Sequence, residues 1–201
     1  MTTTMTSPDA LADQGPPRAR ILRAARELFY RHGIHAVGVD AVAEAAGTNK
    51  MTLYRHFKSK DELIAECLKD RGRELKAAWI AIAAAHHGDP RGQLFAWLDR
   101  LAEFKLEHAE MRGCAFLNAA IELPDPNHPA RRVIESIKSR HHSKLVELCR
   151  AAGLRDPELL ADELFLLAEG ARVSVQSVGL DGPAARLAEM FRRVVAAHQT
   201  A

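Results

Sequence analysis

Two apolar stripes of helical period stand almost end to end between Val39 and Phe57, with only a few residues between them to make a turn. In "VDAVAEAAG", Val39, Val42, Ala43 and Ala46 fall on one side and Gly47 supplies a stop. Asn49 then offers an N-cap for "KMTLYRHF", where Leu53 and Phe57, four residues apart, share a face. Ahead of both, "RARILRAARELFYRHG" lines up Ile21, Leu22, Ala25, Leu28 and Phe29 and ends at Gly33. Two short helices joined by a Gly-containing turn, behind a supporting helix, make a helix-turn-helix plan.

The rest of the chain keeps the same period. Ser59 with Glu62 three residues on reads as a capping box, opening a long helix through Leu63, Ile64, Cys67, Leu68, Leu75, Trp79 and Ile82 to about residue 85. Further helices are predicted near 90–109, 111–122, 127–152, 157–179 and 183–198, with Pro157 and Pro183 as first helical residues. Ala, Leu, Glu and Arg are prominent, and alternating strand patterns and Asn-Gly hairpin signals are missing, so the predicted class is all-α. Residues 1–17, polar with three prolines, are expected to form a disordered arm.

The third helix has two dissimilar sides. At about 100° per residue, Met51, Thr52 and Arg55 point away from Leu53 and Phe57, with Tyr54 and His56 at the flanks. Lys50 lies nearer the core direction, but its long stem can reach round from the first turn. Lys and Arg can bond guanine or phosphate, Thr or Met can touch a thymine methyl, and Tyr54 and His56 can donate to phosphate. Lys58 and Lys60 stand just before a helix N-terminus, which also favours phosphate. Charge agrees: residues 16–60 hold nine basic and three acidic groups, a net +6 in a chain whose total is +2, leaving −4 elsewhere. A basic module joined to an acidic one is the footprint of a polyanion bound at one end.

"ILRAARELFYRHG", "VDAVAEAAG" and "TNKMTLYRHFKSKDEL" together resemble the DNA-binding region of tetracycline-repressor (TetR) family regulators, over about residues 18–66. The likeness rests on Ala46-Gly47, Thr52-Leu53-Tyr54, His56-Phe57 and the Lys60-Asp61-Glu62-Leu63 opening of the fourth helix. "MRGCAFLNAAIEL" is similar, more weakly, to a stretch of many members' C-terminal domains. The resemblance implies that Lys50, Met51, Thr52 and Tyr54 meet bases and that Tyr54, His56 and Lys60 contact phosphate. Three positions depart from the pattern: Val37-Gly38 replaces a usual Thr or Ser, Met51 a common Gly or Pro, and Asp40 stands where several members carry a basic or polar DNA contact.

It further implies a DNA-binding domain over 18–60 and an effector-binding and dimerisation domain over 61–201. The expected protein is a cytoplasmic regulator, a homodimer that leaves a palindromic operator on double-stranded DNA when a small, mostly apolar effector binds. The dimer interface is expected on Leu164, Leu167, Ala171 and Val175 of one helix and Leu187, Met190, Phe191 and Val194 of another. The effector pocket is expected among Trp97, Leu101, Phe104, His108, Met111, Phe116, Asn118, Glu122, Arg172 and Gln176.

Other classes find less support. Cys67, Cys114 and Cys149 are scattered, as reduced core thiols would be. Adjacent residues on a helix diverge by about 100°, so neither His86-His87 nor His141-His142 is a ready chelate, and no metal or cofactor is expected. No signal peptide is evident, and the longest apolar run, "AAWIAIAAA", is roughly half of what a membrane span needs. An α-helical enzyme, or an adaptor that does not bind DNA, is the alternative, but no phosphate loop, zinc motif or nucleophile turn is present.

Overall fold

Proline opens four of the helices, each time at the position where a missing N–H costs nothing because no intrahelical acceptor exists for it. These are α1 (Pro17–His32), α5 (Pro90–Ala102), α7 (Pro129–Ala151) and α8 (Pro157–Val178). Between and after them lie α2 (Val39–Ala45), α3 (Lys50–His56), α4 (Lys60–Ala85), α6 (Ala115–Glu122) and α9 (Leu187–Ala197), with a 3-10 turn at Pro183–Arg186. The computed structural model describes residues 15–103 and 112–199, and among them every regular element is a helix. The chain is therefore all-α, as its composition predicts.

The helix ends refine the sequence reading. The helix predicted over 90–109 leaves helical geometry at Glu103, and the one predicted from 111 begins only at Ala115. Gly113, at φ +70°, sits in the left-handed region that interrupts a helix. The segment predicted as one helix over 183–198 starts as a 3-10 turn and becomes α-helical at Leu187.

Two compact units form, and their boundary departs from the expected division at residue 60. The first takes the chain up to Arg71 together with 115–134; the second takes 72–114 and 135–201. In the first unit α1, α2, α3 and the start of α4 bury Ile21, Leu22, Ala25, Phe29, Val42, Leu53, Phe57, Leu63 and Ile64. A polar clasp explains why α6 belongs here rather than to the C-terminal domain. The Glu122 carboxylate accepts from the backbone N–H of Ile34 at 2.7 Å and of His35 at 3.1 Å, and the Glu122 carbonyl bonds the His35 ring at 2.6 Å. Those N–H groups follow the end of α1 and have no helical partner, and a carboxylate satisfies both with charge-assisted bonds.

The turn joining α2 to α3 is closed by Gly47 at φ +60°. The Thr48 N–H reaches back to Ala43 O and the Gly47 N–H to Glu44 O, both at 2.9 Å, which satisfies carbonyls the helix end would leave bare. Arg20 of α1 donates to the Gly47 carbonyl and ties the turn to the supporting helix.

In the second unit Leu94, Trp97, Leu98, Leu145, Leu148, Leu160, Leu164 and Phe191 form the core. Trp79 stacks on Trp97 with centroids 3.7 Å apart, and His141 packs against both rings and edge-on to Phe165. Burial, helped by the Lys138 and Arg172 charges, pushes the His141 imidazole down to about 3. Burial also raises the Cys67 thiol to about 12 and the Cys149 thiol to about 11, which disfavours the thiolate of both.

Native His141 stays neutral while the unfolded chain binds a proton below about pH 6.5, so stability falls as pH drops from there towards 3. Denaturant unfolding at pH 7 and pH 5 should show about 2 kcal/mol of pH-dependent loss that His141→Phe removes; an unchanged pH response in the variant refutes it. Gly47→Ala forces a Cβ into left-handed geometry and should cost ~1–2 kcal/mol. That loss is read as a lower thermal midpoint of the first unit, and an unshifted midpoint would count against the strained turn.

Candidate nucleic-acid interface

Helix α3 is seven residues long, so its direction is set by what holds its two ends and its inner face. At the start the Asn49 side chain accepts from the Thr52 N–H at 2.9 Å. Inside, Leu53 and Phe57 are 0% and 1% exposed. The Arg18 guanidinium lies 5.0 Å from the Phe57 ring centroid and pairs with Glu66 at 3.0 Å, covering the ring with a charge that is itself satisfied. Beyond α3, Ser59 Oγ accepts from the Glu62 N–H at 3.0 Å. The Glu62 carboxylate accepts from the Lys58 N–H at 2.7 Å, one residue earlier than a standard capping box would place it.

What this arrangement turns outward is Met51, 77% exposed, with Lys50, Tyr54 and Arg55; Thr52 and His56 are half-buried at the edges. A short helix with an apolar inner side and an outer side of donors and one apolar contact fits the floor of a major groove. Two expected residues behave differently. The Lys60 ammonium donates to the Ile34 carbonyl at 2.6 Å and lies 5.8 Å from the Phe29 ring centroid, so it is tied within the unit rather than presented to phosphate. Lys50 is paired with the exposed Asp40 carboxylate at 3.0 Å, whose hydrogen bond and charge hold the ammonium above its ordinary value. The partner of Asp40 stands ten residues along the chain, beyond the reach of any local spacing rule.

The remaining candidate residues divide between the units. Trp97 and Leu101 lie in the core of the second unit. There the Arg172 side chain donates to Ala168 O and stands 3.6 Å from Glu169, and Gln176 donates to the Arg112 carbonyl. Phe116, Asn118 and Glu122 belong to α6 in the first unit, where Phe116 is buried and Glu122 holds the Ile34–His35 backbone. Phe104, His108 and Met111 lie outside the described residues. The Lys138 ammonium is held by Glu169 at 2.7 Å beside Phe165, a polar feature of the second unit that sequence spacing did not reveal.

The second unit also carries an open groove of about 580 Å³ along α8 and α9, lined by Leu166, Leu167, Gly170, Ala171, Ser174, Leu187, Met190 and Val194 among others. Of the eight residues expected at a dimer interface, Leu167, Ala171, Leu187, Met190 and Val194 line it. Leu164, Val175 and Phe191 do not line the groove and are buried in the unit's own core, a core that Ala171 and Leu187 also join from the groove's inner wall. Among the described residues no group of three or more His, Cys, Asp or Glu could hold a metal ion, and no helix is long and apolar enough to cross a membrane.

The profile of bacterial regulatory proteins of the tetR family matches residues 21–67. The chain is 31% identical over 166 residues to the HTH-type transcriptional repressor SCO4008 of Streptomyces coelicolor, covering 79% of this chain and 78% of that protein. It is similar to the crystal structure of a tetR-type regulator, sav143 of Streptomyces avermitilis, with TM-score 0.73 and 33% identity over 90% of this chain and 99% of that one. SCO4454 of Streptomyces coelicolor, a TetR-family transcriptional regulator, gives TM-score 0.77 and 31% identity over 90% and 93%. The chain thus belongs to the tetR family of bacterial regulatory proteins, DNA-binding transcriptional regulators whose members form dimers.

Proposed function

We propose that the protein is a cytoplasmic homodimeric repressor that binds a palindromic operator through the outer face of α3 and leaves it when a small, mostly apolar molecule binds the C-terminal part of the chain. The observation that carries the reading is the division of α3 into a buried side, Leu53 and Phe57, and an exposed side built from Lys50, Met51, Tyr54 and Arg55. Repression is supported by the similarity to SCO4008, a repressor.

The dimer surface is assigned to the groove on α8 and α9. Leu159, Leu166 and Val173 recur every seven residues on α8 and are all exposed, Leu166 at 68%. An apolar seam at that spacing suits a helix from a second copy, and a two-fold pair of such surfaces makes an isologous four-helix contact. The pairing matters for DNA because two recognition helices must sit about 34–36 Å apart to enter successive major grooves. An effector acts by favouring a different separation, and only to the extent that it binds the two arrangements unequally. The aromatic interior around Trp79, Trp97 and Phe165, with the Lys138–Glu169 pair beside it, supports an effector that is largely apolar with a polar anchor.

Binding sites selected from random duplex DNA should be inverted repeats, and affinity should fall steeply as salt rises, as phosphate contacts demand. Met51→Ala or Thr52→Ala should change which base pairs are preferred. Tyr54→Phe should weaken all sites several-fold with the preference kept. Selectivity unchanged in both Met51→Ala and Thr52→Ala would mean that α3 does not read bases.

A further inference from the structure

A carboxylate on a surface that meets DNA is repelled by phosphate unless a donor or a cation compensates it. Asp40 is such a group. Its side chain is 71% exposed, and it is bonded at 3.0 Å to the ammonium of Lys50, on the recognition helix next to the fully outward Met51. The contact joins α2 to α3 and presents an acceptor beside a donor.

That pairing has a complement on DNA. A carboxylate only accepts, and the donors in the major groove are the cytosine N4 and adenine N6 amino groups. An ammonium only donates, and its acceptors are guanine O6 and N7, thymine O4 and adenine N7. Within one base pair the amino group and the oxo group are hydrogen-bonded to each other, so they stand side by side about as far apart as the two protein groups. A C·G pair offers Asp40 the N4 amino group and offers Lys50 both O6 and N7. An A·T pair offers an amino group and O4, but the thymine methyl stands beside that oxygen and puts apolar surface against two charged groups. The C·G edge therefore satisfies the pair better.

We infer that Asp40 and Lys50 act as one unit that reads a single C·G pair in each half of the operator. The inference rests on the operator-binding reading and sharpens it to a base pair. It also gives the carboxylate a second effect. While Lys50 is bonded to Asp40 it is not available to phosphate, which lowers affinity for sequences lacking the pair and so raises the ratio of specific to non-specific binding.

The test uses the full-length protein, selection from random duplexes, and titrations against operators changed at one position. Wild type should require C·G at one fixed position of each half-site, with roughly tenfold weaker binding when that pair is replaced. Asp40→Ala and Lys50→Ala should both lose that penalty, at the same position, while other positions keep theirs. Asp40→Asn should move the preference there towards A·T, because an amide can bond adenine N6 and N7 together. Freed from Asp40, Lys50 should steepen the salt dependence of Asp40→Ala by about one counterion per subunit. Both side chains are exposed, so breaking their pair should move thermal midpoints measured in parallel only slightly. If Asp40→Ala changes affinity equally on all sequences, or if the two alanine variants relax different positions, the unit does not read a base pair. If wild type selects no sequence at all, this inference falls together with operator binding, an outcome distinct from the other two.

Discussion

The burial of Leu53 and Phe57 is the interaction on which the helix-turn-helix part of the molecule depends. A helix of seven residues is far below the length at which helices persist alone in water. Each of the two side chains contributes on the order of 1.5–3 kcal/mol when fully buried, against about 1 kcal/mol for the Asn49 cap. Packing therefore holds α3, and the cap and the Gly47 turn set where it begins. Because those two anchors occupy only one side, the opposite side carries little of the packing, and Met51 can stand largely in solvent without loss of stability.

The parts of the structure that were legible in the sequence are those fixed by neighbours a few residues apart. The stop at Gly47, the cap at Asn49, the Ser59–Glu62 pair and the prolines at 157 and 183 all act within one helical turn, and all stand where their spacing places them. What stayed hidden depends on partners far along the chain. Glu122 meets the backbone of Ile34 across 88 residues, and Lys60 meets the Ile34 carbonyl across 26. No periodicity announces such bonds, so Glu122 looked like a polar group available to a ligand and Lys60 like a cation available to phosphate. The first unit is likewise a discontinuous pair of segments, and both ends of the Glu122 clasp lie within it.

Helix α8 illustrates a different limit. Leu164, Ala168, Ala171 and Val175 follow one another at steps of four and three, the period of a buried stripe, and all four are buried. Leu159, Leu166 and Val173 follow at steps of seven on another side and are exposed. Hydrophobicity is the same property in a core and in an interface, so the sequence distinguishes apolar from polar sides but not which apolar side faces inward. The choice is made by α9, whose Leu187, Phe191 and Val195 join the core against the first of these stripes.

Charge bookkeeping along the sequence also overstates what reaches DNA. The window 16–60 has a net +6, but Arg18 pairs with Glu66 and Arg26 with Asp70, acids that lie just beyond it. Within it, Arg31 pairs with Glu27 and Lys50 with Asp40. The acids within the window are already part of its net charge; the two beyond it, which tie α1 to α4, leave about +4, so the field towards a phosphate backbone is weaker than the count implies. A regulator that holds its cations in this way gives up some sequence-independent attraction, the term that dominates non-specific binding. Discrimination among sites then falls to short-range contacts at base edges, the role proposed above for an exposed Met51 and a paired Asp40 and Lys50.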